Sequence, residues 1–255
     1  MKLAFKKYGT GGTPILILHG LLGSLENWHT IAQELSDWCT VFTLDLRNHG
    51  RSPHADVFTY EAMASDVLEF LDDQNITSAI LLGHSMGGKV AMWTAGKHPE
   101  RIKKLISADM GVKRYLDEHD EILDALRRFP VNKIASRKEA DVLMAQKISD
   151  FAVRQFLLKN LIRKPKGGFA WRINLPVILK NYKKLLLPLP ESLRFEKPAL
   201  FLRGERSAYI QIEDLPEIQR HFPLAEIRTI PNAGHWLHAE APAEFIRIVK
   251  DFVFK

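Results

Sequence analysis

Residues 79–97 impose the tightest constraint in this 255-residue chain. An apolar run, Ala79-Ile80-Leu81-Leu82, leads straight into Gly83-His84-Ser85-Met86-Gly87. Gly88-Lys89-Val90-Ala91-Met92-Trp93 then reads as the first turns of a helix. Gly-x-Ser-x-Gly between a strand and a helix has a mechanical meaning. The chain must turn within a few residues, so the Ser occupies a strained, exposed corner. The flanking glycines remove side chains that would collide there. Ser85 Oγ is therefore expected above the sheet, at the start of the helix. Five residues with two free positions recur by chance; the strand before and the helix after give the motif its weight.

The surrounding pattern repeats that alternation. Strands are expected at Leu3–Tyr8, Ile15–His19, Val41–Asp45, Ala79–Gly83 and Ile102–Asp109. Helices are expected at Leu25–Leu35 behind Ser24, at Thr59–Asp73 and at Gly87–Lys97. From Gly111 to Lys197 helical periodicity takes over, at Asp117–Phe129, Lys138–Lys147 and Asp150–Leu161, with Phe169–Ile173 a candidate hairpin arm. Strand and helix then alternate again: Pro198–Arg203, Pro216–His221, Ala225–Ile230 and Ala241–Phe254. Such units imply an α/β fold, with a mostly parallel central sheet flanked by helices. Residues 1–110 and 198–255 are read as the core, and 111–197 as an inserted helical cap. Leaving after one strand and returning before the next, the cap is expected over the strand C-termini, where open parallel sheets bind ligands.

Charge separates the same two parts. Val112–Glu196 holds 18 Lys and Arg against 10 Asp and Glu, whereas the rest of the chain holds 18 against 20. A solvated helical surface accounts for this; a field that draws anionic substrates is the sharper alternative. The basic residues are not interleaved with aromatics and no nucleic-acid-binding motif is present, so nucleic acid is not an expected partner. The single cysteine, Cys39, excludes an intramolecular disulfide and fits a reducing compartment. No apolar stretch approaches a membrane span, and Met1–Lys7 lacks a signal-peptide core, so the chain is read as cytoplasmic, a monomer or homodimer.

A Ser hydroxyl needs a general base within hydrogen-bond reach, and the base needs an orienting group. Among ten histidines, His235 is the candidate base, because Asn232-Ala233-Gly234-His235-Trp236 follows the last strand and opens at the edge where Ser85 stands. His19 and His49 read as loop-shaping residues, His238 as structural, and the His84 side chain is expected to point away from the substrate. For the acid, a Gly-x-x-Asp pattern after the cap would be usual, but Gly204-Glu205-Arg206-Ser207 places Ser207 there. Asp109, at the end of the strand beside that of Ser85, is the candidate acid, with Glu205 the runner-up. Backbone N–H groups of Leu21 and Met86 are the expected oxyanion donors. No His, Cys or carboxylate cluster has metal-ligand spacing.

Taken together, these residues resemble the α/β-hydrolase superfamily. The carriers are His19-Gly20, Asp45-Leu46-Arg47-Asn48-His49-Gly50-Arg51-Ser52, Gly83–Gly88 and Gly234-His235-Trp236, in the family's order and spacing. Within it, Asp109, Gln155–Lys159, Trp171-Arg172-x-Asn174 and Gly234–Glu240 look like the small bacterial YbfF-type esterases. In that group the acid follows the sixth strand by the family's count. The resemblance implies hydrolysis of carboxylic ester or thioester acyl bonds on a small-molecule substrate, without a cofactor. C–C bond hydrolysis or perhydrolysis on the same residues, and a non-catalytic ligand-binding homologue, are the competing readings. A Ser at the nucleophile position argues against the dehalogenases and epoxide hydrolases of this fold, which use Asp. Phe129, Phe151, Phe156, Leu157, Leu161, Trp171, Tyr182 and Trp236 are candidate pocket residues that serve equally well as cap core.

Overall fold

The computed structural model describes residues 1–117 and 119–254. In chain order the strands are β1 (Phe5–Tyr8), β2 (Ile15–Leu18), β3 (Val41–Leu44), β4 (Ala79–His84), β5 (Ile102–Ala108), β6 (Leu161–Arg163), β7 (Phe169–Trp171), β8 (Ala199–Gly204) and β9 (Ala225–Ile230). Seven of them form one sheet in the order β1-β3-β2-β4-β5-β8-β9, while β6 and β7 pair separately. Only β1 runs antiparallel in the large sheet. The helices are α1 (His29–Leu35), α2 (Tyr60–Asp73), α3 (Met86–Lys97), α4 (Asp120–Arg128), α5 (Arg137–Ala145), α6 (Phe151–Leu158), α7 (Leu175–Leu185), α8 (Leu215–His221), α9 (Leu237–Glu240) and α10 (Pro242–Val253).

Every residue of β2, β3 and β4 is buried, as continuously apolar parallel strands between two helical layers must be. Alternation along each strand divides these residues between two cores. Leu16, Leu18 and Leu81 pack with Met63, Val67, Phe70 and Val90, from α2 and α3. Ile15, Ile17, Ile80 and Leu82 pack with Ile31 and Leu35 of α1 and with Phe245 and Val249 of α10. Burying a side chain of this size contributes about 1.5–3 kcal/mol, so the two cores anchor a rigid sheet edge.

Between β5 and β8 the chain adds no strand to the large sheet. It forms α4 to α7 and the β6–β7 pair instead. This segment docks on the core by side-chain hydrogen bonds: Asn160 Nδ2 donates to the Leu22 carbonyl at 2.8 Å and Asn174 Nδ2 to Asn48 Oδ1 at 3.1 Å. The expected helix at Leu25–Leu35 divides into a 3-10 turn (Leu25–Trp28) and α1. Of the expected Asp117–Phe129 helix, α4 starts at Asp120, and residue 118 lies outside the described residues. The expected Asp150–Leu161 helix stops at Leu158, with Asp150 as its cap, and Leu161 pairs with Trp171 as a strand. Helix α7 is not among the expected elements; its Pro176 lies in the first turn, where the missing N–H has no intrahelical acceptor to lose.

Candidate active site

The chain leaves β4 at His84, and Ser85 adopts φ 51°, ψ −120°, a region that L residues rarely occupy. The corner closes because its neighbours lack side chains. A Cβ on Gly83 would lie 2.0 Å from the Gly87 carbonyl oxygen, and one on Gly87 would lie 2.3 Å from that of Leu18. The Ser85 N–H donates to the Ala108 carbonyl at 3.1 Å, joining this corner to the end of β5.

Asp109 follows immediately, at φ 51°. Its backbone N–H donates to Leu202 at 2.7 Å, and its carboxylate is fully buried. Three donors converge on that carboxylate. Gly204 N–H reaches Oδ1 at 3.2 Å, the Ser207 hydroxyl donates to Oδ2, and His235 Nδ1–H donates to Oδ2 at 2.7 Å. A buried carboxylate needs such partners to keep its charge. The structure thus brings Asp109 and His235 together. Glu205, the runner-up acid, instead accepts the Asn232 N–H at 2.8 Å at the exposed end of the loop. Ser207, at the position where a Gly-x-x-Asp pattern would put the acid, instead donates to the acid from just beyond β8, the neighbour of β5.

The His235 ring stacks on Tyr209, with centroids 3.9 Å apart. Its main-chain carbonyl accepts a hydrogen bond from His84 Nε2–H at 2.8 Å. His84 therefore departs from expectation: it does not turn away but lines the same cavity as Ser85 and His235. Burial holds its pKa well below 6.5, so it is a neutral support beneath His235. The cavity has a volume of about 500 Å³ and lies between the core and the inserted segment. Among the described residues no hydrogen bond links Ser85 Oγ to His235, whose Nδ1 is committed to Asp109. Such contacts often tighten only when substrate binds.

The loop after β2 is held from both sides. His19 Nε2 accepts the Leu46 N–H at 3.0 Å and His49 Nε2 accepts the Leu22 N–H at 3.1 Å. Each uses its Nδ1–H on a nearby carbonyl, Gly20 or Arg47. Full burial pushes His19 down to about 4 and His49 to about 3, so both stay neutral and can accept. Leu22 itself has φ 61°, and Asn160 binds its carbonyl. The loop thereby presents the Leu21 N–H, which together with that of Met86 has no acceptor among the described residues. No sequence signal tied Asn160 to this loop.

A second, smaller cavity of about 40 Å³ also reaches Ser85, lined by Met86, Met110, Tyr60, Tyr115, Tyr182 and Leu185 among others. Behind it lies Lys89 of α3, fully buried, its ammonium 5.8 Å from the Tyr60 ring centroid and 5.0 Å from that of Tyr115. Lys89 Nζ donates to the carbonyls of Lys113 (3.2 Å) and Leu187, one at each end of the inserted segment. Burial lowers its pKa to about 7.

Of the candidate pocket residues, Phe156, Leu157 and Trp236 line the large cavity and Tyr182 the small one. Phe129 and Trp171 pack on each other, Leu161 is buried, and Phe151 is exposed. Among the described basic residues of the inserted segment, Lys159 alone lines the large cavity. Most of the positive excess therefore lies on a solvated surface. No group of three or more metal-ligating side chains occurs among the described residues, and no helix there is long and apolar enough to cross a membrane.

Comparison with known proteins completes the description. A family model for the alpha/beta hydrolase fold matches residues 13–242. The sn-1-specific diacylglycerol lipase ABHD11 of Danio rerio is 41% identical over 251 residues, which is 94% of this chain and 78% of that protein. Esterase YbfF of Escherichia coli (strain K12) is 35% identical over 244 residues, covering 94% of this chain and 93% of that one. A solved structure described as a marine microorganism esterase superposes with a TM-score of 0.96 at 44% identity, covering 98% of this chain and 99% of the other.

Proposed function

This chain belongs to the α/β-hydrolase family, and from that premise we propose that it is a carboxylesterase-type serine hydrolase with Ser85 as nucleophile, His235 as general base and Asp109 as the orienting acid. Relatives at 35–41% identity are named esterase or lipase, which supports ester bonds as its substrates. The observation that carries the residue roles is the 2.7 Å bond from His235 Nδ1–H to the buried Asp109, on an imidazole that shares a cavity with Ser85.

The steps follow from those positions. Asp109 fixes the tautomer that leaves His235 Nε2 free to accept, and it stabilises the imidazolium that forms. Ser85 Oγ attacks the ester carbonyl carbon while Nε2 takes its proton. The carbonyl oxygen gains the charge and is held by the N–H groups of Leu21 and Met86, each such donor contributing roughly 10²–10³-fold to the rate. The tetrahedral centre collapses as His235 returns the proton to the departing alkoxide oxygen, giving free alcohol and an acyl-Ser85 ester. Water, deprotonated by the same imidazole, attacks that ester and releases the acid. Residues 111–197 serve as a cap that closes the cavity over the sheet edge.

The test is steady-state hydrolysis of p-nitrophenyl acetate by the wild type, Ser85→Ala and His235→Gln. Turnover is expected to fall by about 10⁴-fold or more in each, with circular dichroism unchanged. A Ser85→Ala protein that keeps wild-type turnover would end this reading.

A further inference from the structure

Two cavities meet at Ser85, and His235 lines the large one and not the small one. The large one, about 500 Å³, includes His235, Trp236 and His238 in its wall. The small one, about 40 Å³, shares Ser85, Leu21 and His119 with it but does not include His235. The proton that His235 takes from Ser85 must later be handed to the leaving oxygen. The leaving group therefore has to lie on the His235 side, and the acyl chain takes the other.

We propose that the small cavity is the acyl-binding site and that it selects short acyl groups, while the large cavity receives a bulky alcohol. This rests on the serine-hydrolase reading above and names its substrate class: esters of short-chain acids with large alcohols.

Size sets the chain length. A water molecule needs about 10–15 Å³ measured in this way, so 40 Å³ accepts roughly three heavy atoms beyond the carbonyl. The walls are tethered. Tyr60 Oη donates to the Leu185 carbonyl at 2.8 Å. Tyr115 Oη accepts the Gly111 N–H at 2.7 Å and donates to the Tyr209 carbonyl at 2.9 Å. Tyr182 Oη bonds His119 Nδ1 at 2.9 Å. The Lys89 ammonium braces the Tyr60 and Tyr115 rings from behind while binding both ends of the cap. Three hydroxyls are thus spent on the protein, and much of the remaining wall is ring faces, Met86, Met110, Leu185 and Leu186. The outer rim is Leu116, which is exposed, so a longer chain would pass into solvent there and gain no burial.

Two substrate series test this on the intact chain. In the first, the leaving group stays p-nitrophenol and the acyl chain grows from acetate through butyrate and hexanoate to decanoate. The value of kcat/KM is expected to peak at about two to four carbons and to fall roughly tenfold or more by decanoate. In the second, the acyl group stays acetyl and the alcohol grows from ethyl to benzyl to naphthylmethyl, with kcat/KM expected to rise. Enlarging the small cavity by Tyr182→Ala, or by Leu186→Ala if the first does not fold, should move the acyl optimum to longer chains, whereas Tyr182→Phe should leave it in place. A profile that climbs to decanoate, a preference for ethyl decanoate over naphthylmethyl acetate, or an unmoved optimum in the folded enlarged variants would overturn the assignment. Intact-protein mass spectrometry separates the two levels. Turnover or acyl-Ser85 with the wrong chain-length profile sinks the pocket assignment alone, whereas the absence of both turnover and acylation with every ester sinks the hydrolase reading with it.

Discussion

The rim of the sheet and the segment above it are built by different means. At the rim, position is set by main chain. Ser85 and Asp109 both sit at φ 51° at the ends of adjacent strands, joined by the bond from Ser85 N–H to the Ala108 carbonyl. The inserted segment is joined to the core largely by side chains, Asn160 on Leu22, Asn174 on Asn48 and Lys89 on the carbonyls of Lys113 and Leu187, beside main-chain bonds from Asn174 to Asn48 and from Phe195 to His221. Main-chain placement over a close-packed sheet holds reacting groups within tenths of an ångström. Side-chain ties are individually worth about 1 kcal/mol and can be altered without disturbing the sheet. On the proposed function, the rim would carry the chemistry, while the pocket walls are shared between the rim and the inserted segment.

Substitutions at the rim should therefore cost most. Asp109→Asn keeps the shape but favours the wrong His235 tautomer, and kcat is expected to fall about 10⁴-fold. Ser207→Ala removes one of three donors to the same carboxylate, and a loss nearer tenfold is expected, consistent with one hydrogen bond to a charged group. Kinetics on the two purified variants check both. A Ser207→Ala loss as large as that of Asp109→Asn would show that the hydroxyl does more than hold the acid.

Acid should act next, through stability. His19, His49 and His238 are buried and held down to about 4, 3 and 3 from an ordinary value of 6.5. Unfolded chains bind these protons below pH 6.5 and the folded protein does not, so stability is intact above 6.5 and is lost as pH falls from there towards 3. Each group contributes a slope of up to about 1.4 kcal/mol per pH unit. Denaturant melts between pH 7 and 4.5 should show this decline, and His49→Asn should flatten it while destabilising the protein at pH 7. Two of these histidines hold the loop that carries Leu21, so rim and loop should fail together.

The smallest effect is expected where cap meets rim. Asn160→Ala frees the Leu22 carbonyl at a cost of about 1 kcal/mol, which corresponds to roughly a fivefold lower kcat with KM little changed. A change in KM alone would mean that Asn160 shapes the pocket and leaves the Leu21 loop untouched.

How far each part could be read beforehand follows the same division. The strands, Ser85 and the loop bearing His235 are announced by local signals: continuous apolar runs, glycines at forced corners, a short loop between the last strand and a helix. Asp109 could be chosen because adjacent strands end at one level. Ser207 and Asn160 could not, since their partners lie 98 and 138 residues away and nothing local marks a Ser or Asn as a donor to them. The orientation of His84 was misread for the same reason, because the carbonyl it binds belongs to His235, 151 residues on. Helix α7 was not among the expected elements, and its Pro176 is compatible with a first helical turn.

The central claim is that Ser85 is made nucleophilic by His235 and Asp109 acting together. Its most direct measurement is the rate of covalent labelling by a fluorophosphonate, followed by intact mass and peptide mapping. Wild-type protein should gain one label, on Ser85, and His235→Ala and Asp109→Asn should label at least about a hundredfold more slowly while remaining folded. Labelling of Ser85 at an unchanged rate in both variants, or no label on Ser85 in the wild type, would contradict it.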